Sequence, residues 1–350
     1  MEPHARPGLE LAQRSEPGLH PDKQVNEDSC ASIDTPLGHL LVVCDGMGGH
    51  EGGAAASQLA VEAIGRVIGA AAADAPPGPT LRSAIEHAGR LVWELGGPAE
   101  RAGRPGATCV AALVHGGGVE VAHVGDSRAY LVRGGQVWPL TRDHSLVQAW
   151  IDAGQMAPEA AYGHPDANKI TRALGLRPDT QVELRAEPLV VYGGDVLVLA
   201  SDGLCDLARP EELLAVVLAA PTPAQACDEL VRLAYTRGAH DNVTVQVARV
   251  AAAAAPAGAL ARNTLPLISP PTQADRVEVA PTWVDAPASG HPVASSPPPA
   301  PSARPPSATS PSPRLVVGLV VATVGLLLAA ASLVSLMRRD QPPAAVPAAR

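Results

Sequence analysis

An α+β fold, with antiparallel sheets carrying helices on their faces, is what this sequence predicts. Strand-like runs outnumber helix-like ones. Several runs are joined by hairpin-like turns such as Arg133-Gly134-Gly135-Gln136. Long amphipathic stretches are few, so the helices cover sheets and do not alternate with every strand as in a doubly wound parallel fold.

Leu40–Cys44, Ala107–Val114, Val119–Val124, Ala129–Arg133, Val196–Ala200 and Val243–Val250 read as strands, rich in β-branched residues and bounded by turn residues. Ala54–Ile68 reads as a helix that places Leu59, Ala63, Ile64, Val67 and Ile68 on one stripe. Thr80–Leu95 and Pro223–Arg237 also fit helices; Thr222 is a candidate cap for the second, with Pro223 in its first turn. Residues 1 to about 18 are polar and hold no apolar run of signal-peptide length, so no secretory signal is expected.

The net charge of −9 and the lack of any basic cluster argue against a nucleic-acid surface. The five cysteines are scattered without CxxC spacing; Cys44 and Cys109 fall in apolar runs, where buried thiols and a reducing compartment are expected.

From residue 251 to 313 the chain turns to Pro, Ala and Ser, the composition of a disordered linker. Leu315–Met337 is an uncharged apolar run between Arg314 and Arg338-Arg339. At about 1.5 Å per residue it covers a hydrocarbon core of ~30 Å, so a single transmembrane helix is expected there, followed by a short tail at 338–350. Arg338 and Arg339 pull the tail inward, but the large N-terminal part has no signal. The expectation is a cytosolic domain at 9–250, held at the membrane, with the small tail translocated.

The chemistry is carried by acids at strand ends. Val42-Val43-Cys44-Asp45-Gly46-Met47-Gly48-Gly49 runs three apolar residues into one carboxylate and a turn of bare backbone. Alone, this octet is equally a strand, an Asp-Gly turn and a helix, or a hard-oxygen site for Mg²⁺ or Mn²⁺. Asp126 after Val121–Val124 and Asp202 after Val196–Ala200 repeat the plan; Asp241 precedes a strand, and Glu27-Asp28 adds an acidic pair. Carboxylates gathered this way repel one another, and divalent cations relieve that repulsion. Two such ions activate a water for in-line attack on phosphorus, so the residues point to a two-metal phosphoester hydrolase.

The ordered motifs Asn26-Glu27-Asp28, Asp45-Gly46-Met47-Gly48-Gly49-His50, Gly106-Ala107-Thr108, Gly125-Asp126-Ser127-Arg128, Asp143-His144-Ser145, Thr171-Arg172-Ala173-Leu174-Gly175, Ser201-Asp202-Gly203 and Asp241-Asn242-Val243-Thr244 resemble those of PPM-type (PP2C-like) protein serine/threonine phosphatases of the bacterial branch. The resemblance covers roughly residues 18–250. It implies a two-sheet β-sandwich flanked by helices, with a metal site at one end. It further implies that Asp45 bridges two Mn²⁺ or Mg²⁺ ions, that the Gly46 carbonyl binds one of them, and that Asp202 and Asp241 complete the pair. Asp126 and Asp202 would hold a third ion, and Glu27 and Asp28 would order metal-bound water. The 148–169 stretch falls where the family has a mobile lid over the substrate. The implied partners are phosphorylated proteins, serine/threonine kinases and their substrates among them.

Two departures from the family pattern stand out. Lys23 occupies the place of an Arg that holds the substrate phosphate, and it offers a point charge where Arg offers a fork. Met47 stands where eukaryotic relatives carry a histidine acid, which leaves a metal-bound water as the simplest proton donor. His50, His144 and His240 are expected in structural roles. Two other functions stay open on sequence: a phosphatase for a small phosphorylated metabolite, and a phosphoprotein-binding module without turnover.

Overall fold

Continuous apolar runs, and not an apolar–polar alternation, mark strands that are covered on both faces. The computed structural model, which describes residues 8–251 apart from 50, 99–102 and 117, shows why this chain has so many. Two five-stranded antiparallel sheets lie face to face. The first runs β1 (Leu9–Glu16), β12 (Val243–Val250), β11 (Val196–Ala200), β8 (Arg128–Arg133), β9 (Gln136–Pro139) from edge to edge. The second runs β10 (Glu183–Leu184), β7 (Gly118–Val124), β6 (Cys109–His115), β3 (His39–Cys44), β2 (Ser29–Asp34). A short ladder pairs β4 (Gly46–Met47) with β5 (Gly106–Ala107).

Helices α1 (Glu51–Gly69) and α2 (Pro77–Leu95) cover the outer face of the second sheet. Helices α5 (Pro210–Ala219) and α6 (Pro223–Thr236) cover the outer face of the first. Each central strand therefore feeds two cores. In β3, Leu40, Val42 and Cys44 pack under α1 and α2, while Leu41 and Val43 meet the opposite sheet. In β11, Val196, Val198 and Ala200 face α5 and α6, while Leu197 and Leu199 point between the sheets. Burying one such Leu or Val contributes about 1.5–3 kcal/mol, and no solvent face is left to call for a polar residue.

Most expected elements are present with shifted ends; β11 and β12 have the expected bounds. On α1 the fully buried apolar positions are Ala56, Ala60, Ile64 and Ile68, with Ala63 nearly so, while Leu59 and Val67 pack at the margin. Alanines let the helix approach the sheet closely. Thr222 caps α6 as expected, its hydroxyl accepting from the Gln225 N–H at 3.2 Å. The Gly134-Gly135 turn joins β8 to β9 with both glycines at positive φ (59° and 74°), the geometry that suits a two-residue hairpin.

One strand has no counterpart among the expected elements, and one expectation needs correction. Within the polar N-terminal stretch, Leu9–Glu16 forms β1 along the full length of β12. Only Leu9, Leu11 and Ala12 are apolar contributors there, too few to stand out from an edge strand's polar residues. The single strand expected over Ala107–Val114 is broken at Thr108, where β5 turns away to pair with β4. The cause is local: Thr108 N–H donates to the Asp45 carbonyl at 2.8 Å, and its hydroxyl accepts from the Asp45 N–H at 3.1 Å.

All five cysteines are free thiols, and Cys44, Cys109, Cys205 and Cys227 are buried. The expected linker, the span at Leu315–Met337 and the tail lie outside the described residues. Among the described residues no helix is long and apolar enough to cross a membrane.

Candidate metal centre

In an antiparallel sheet the C-terminal end of one strand lies beside the N-terminal end of its neighbour. That rule gathers the acids. Asp45 follows β3 and Asp28 precedes its partner β2; Asp202 follows β11 and Asp241 lies just before its partner β12; Asp126 follows β7. All five sit at one end of the sandwich.

Local sequence fixes each backbone. Asp45 is held by its two bonds with Thr108. Gly46 is buried, and its N–H donates to the Glu27 carbonyl at 3.2 Å. A Cβ on Gly46 would fall 2.2 Å from the Gly53 carbonyl oxygen, and one on Gly53 would fall 1.9 Å from the Glu27 carboxylate. This close-packed corner brings β4, α1 and the 27–28 acids together, and only glycine fits it. Asn242 fastens the other side: its Oδ1 accepts from the Glu27 N–H at 2.9 Å, and its Nδ2 donates to the Lys23 carbonyl at 2.9 Å.

The electrostatics are those of a cation site. Burial raises the Asp45 pKa well above the usual carboxylate range, and Asp202 and Asp28 push it further. Burial, then Asp241, lifts Asp202 to about 6. Burial likewise lifts Asp28 to about 6, against the hydrogen bonds it accepts; one of these, from the Ser201 hydroxyl, is 2.8 Å long. Asp126 is raised by burial, then by Asp202, Asp143 and Asp206. Asp202 and Asp28 are thus the acids whose charge bears most on Asp45. Two oxygens, Asp28 Oδ1 and Asp202 Oδ1, are buried without a hydrogen-bond partner. An unsatisfied buried carboxylate oxygen costs several kcal/mol unless a cation meets it. An all-oxygen donor set of this kind fits Mg²⁺ or Mn²⁺.

Two cations border the acids. Lys23 Nζ lies 2.7 Å from Asp241 Oδ1. Burial works against its charge, but Asp241, Asp45 and Glu27 outweigh that and hold its pKa above the ordinary value. Arg128 makes a two-pronged pair with Asp143, Nε to Oδ1 at 2.8 Å and Nη2 to Oδ2 at 2.6 Å.

Beside the acids opens a cleft of about 330 Å³, lined by Asp126, Asp143 and Asp206 on one wall and by Tyr162 and His164 on the other. The second wall belongs to the segment expected as a lid. It is more structured than expected, with helix α3 (Leu146–Asp152) and a 3-10 turn at Pro158–Ala161. The ends of the segment are pinned together: Leu146 N–H donates to the Lys169 carbonyl at 2.8 Å, and Ser145 bridges to Ile170.

Every acid singled out from sequence thus falls in one place, with Lys23 and Gly46 among them. Asp206 was missed. It faces the cleft one helical turn beyond Asp202, closing helix α4 (Asp202–Cys205), and burial then Asp202 push its pKa to about 6. The i, i+4 spacing from Asp202 was the available signal. The structural roles of Thr108 and Asn242 were also not legible. His240 lines the cleft, and His50 lies outside the described residues.

Residues 20–233 match the family model described as Protein phosphatase 2C. The serine/threonine protein phosphatase PstP of Mycobacterium tuberculosis is 35% identical over 247 residues, covering 69% of this chain and 45% of that protein. This chain therefore spans under half the length of that relative. The solved structure of the serine/threonine phosphatase Stp1 from Staphylococcus aureus superposes with a TM-score of 0.64 at 33% identity, over 71% of this chain and 97% of that one. The catalytic domain of PstP in complex with two manganese ions gives a TM-score of 0.58 at 32% identity, over 69% and 98%.

Proposed function

The chain belongs to the protein phosphatase 2C family, and from that premise we propose that it removes phosphate from phosphoserine and phosphothreonine in proteins. The observation that carries this reading is the gathering of Asp28, Asp45, Asp126, Asp202 and Asp241 at one sandwich end, with two of their oxygens buried and unpartnered. Asp45, the Gly46 carbonyl, Asp202 and Asp241 would hold two Mn²⁺ or Mg²⁺ ions, and Asp126 with Asp202 a third. Such ions, when bound, supply an activated water and neutralise charge on the phosphoryl group.

The chain's own groups set the rest. Lys23, held against Asp241, presents the positive charge that meets a phosphate oxygen. It is a single flexible ammonium, so it attracts the dianion without fixing its rotation as a guanidinium would. Glu27 and Asp28 lie behind Asp45, fixed by Asn242 and Ser201, and would accept hydrogen bonds from water at such ions. The 146–170 segment forms the wall along which a peptide carrying the phosphoresidue lies. Met47 packs over Gly106 and offers no proton, so the leaving alkoxide takes its proton from water.

The proposal extends to the rest of the chain. Residues 251–313 act as a flexible tether and Leu315–Met337 as a single membrane span, which places residues 9–250 on the cytoplasmic side near membrane-bound kinases and their substrates. Protease added outside intact right-side-out vesicles is expected to spare that domain; its digestion would refute the orientation.

The function itself is tested with the full chain and Mn²⁺, given phosphothreonine peptides and small phosphorylated metabolites side by side. Peptides are expected to be turned over with the higher kcat/KM. A preference for metabolites would install the second reading, and peptide binding without phosphate release the third.

A further inference from the structure

His144 takes no part in the chemistry above, yet more of the site hangs from it than from any acid. Its ring Nδ1 accepts from the Gly125 N–H at 3.1 Å, and its own N–H donates to the Gly125 carbonyl at 2.9 Å. One residue therefore holds both backbone polar groups of Gly125, the residue immediately before Asp126. Gly125 is at φ +105°, and a Cβ there would lie 2.7 Å from Thr108 Cβ, so this turn has no alternative residue. The His144 carbonyl accepts from the Thr171 N–H at 2.7 Å, where the 146–170 segment returns to the body. The segment thus leaves and re-enters at His144.

The ring is fixed from three directions. Because Nδ1 is an acceptor, the proton sits on Nε2, which donates to Glu183 Oε2 at 3.1 Å. The ring also stacks on His123 at 4.6 Å between centroids, and His123 is anchored by its Nε2 donating to the Arg142 carbonyl at 2.7 Å. These three side chains have a spacing that a metal ion could bridge. Their nitrogens, however, are committed: Gly125 N–H points at one His144 nitrogen, and the Arg172 guanidinium lies 3.3 Å from the other. A cation there would displace a hydrogen bond and face a like charge.

We propose that His144 is a positioning residue that couples the 146–170 segment to Asp126. A displacement of the segment pulls on the His144 backbone. The two bonds to Gly125 pass that displacement to the turn carrying the Asp126 carboxylate. Binding of a cation at Asp126 tightens the same linkage in reverse. The coupling rests on the reading of Asp126 as a metal acid.

The test is a calorimetric Mn²⁺ titration of the full chain, read together with amide hydrogen exchange over 146–170. Asp126→Asn first defines the Asp126-dependent binding. His144→Ala is expected to weaken that binding about 10-fold, the scale for losing a group behind a ligand, and to abolish the Mn²⁺-induced slowing of exchange in the segment. His144→Asn, whose amide oxygen can stand in for Nδ1, is expected to restore both to within about 3-fold. His144→Gln keeps a donor toward Glu183 but no acceptor at Gly125, and is expected to restore neither. If His144→Ala fails to fold, the Asn and Gln pair carries the comparison. Wild-type binding and exchange in His144→Gln, or equal losses in the Asn and Gln variants, would overturn the role of His144. Unaltered Mn²⁺ binding by Asp126→Asn would instead overturn the reading of Asp126 itself.

Discussion

Asp45→Asn will make the metal-free protein more stable while removing its activity. In the wild type the buried Asp45 carboxyl faces the charges of Asp202 and Asp28, and burial and those neighbours raise its pKa well above the usual range. A group whose folded pKa is raised contributes stability that is present at low pH and is lost as pH rises through the folded value. At pH 7.5 the metal-free wild type therefore carries the cost of crowded carboxyl groups; at pH 5 protons relieve more of it. An amide donates to the neighbouring carboxylate oxygens without a proton from solution. The expected gain is on the order of 1–2 kcal/mol at pH 7.5, or a few °C in Tm, and smaller at pH 5. Excess Mn²⁺ reverses the order. The wild type gains about 2.7 kcal/mol at an ion concentration of 100 Kd, and the variant gains little. Hydrolysis falls by roughly 10³-fold or more, beyond the 10–100-fold typical of losing a group behind a ligand. Thermal melts at the two pH values, with chelator and with Mn²⁺, check the whole pattern. A metal-free variant less stable than wild type would contradict it.

Gly203→Ala is expected to place a strongly damaging methyl group at this end of the molecule. Gly203 follows Asp202 in α4, and a Cβ there would lie 2.0 Å from the Asn242 backbone oxygen. Neither side can yield alone. Moving Asn242 disturbs Asp241, and it also strains the two side-chain bonds from Asn242 to the chain at Lys23 and Glu27. Moving α4 carries Asp202 and Asp206 away. Overpacking in a dense region costs about 1–3 kcal/mol and occasionally more, so Tm should fall by roughly 2–12 °C, with weaker Mn²⁺ binding. Gly134→Ala is the control. Gly134 sits at positive φ in the β8–β9 turn with nothing within 4 Å of a Cβ, so only local backbone strain, about 1 kcal/mol, is expected. Equal effects from the two substitutions would mean that the packing of α4 on β12 does not hold the acids together.

The site was legible in the sequence because its parts repeat one simple plan. Asp45 and Asp202 each end a run of Val, Leu or Ala that can only be a buried strand, and antiparallel pairing then carries Asp28 and Asp241 to the same end. The apolar runs themselves reflect a four-layer arrangement in which β3 and β11 are covered on both faces. What stayed hidden lacks a local signal. Edge strand β1 is half polar because one side meets solvent. Thr108 and Asn242 each act through two hydrogen bonds to residues far along the chain, which no periodicity records. Asp206 was visible only as a helical neighbour of Asp202. His144 was assigned a structural hydrogen bond, and the structure gives it both hydrogen bonds at Gly125.

The central claim is that these carboxylates form a metal centre that hydrolyses phosphoproteins. Its most direct test is the initial rate of phosphate release from a phosphothreonine peptide by the full chain as free Mn²⁺ is raised from zero in a chelator buffer. The rate should start at background, rise saturably with Mn²⁺, and stay at background in Asp202→Asn and Asp241→Asn. A rate that persists in chelator, or that survives either substitution, would contradict the metal centre described here.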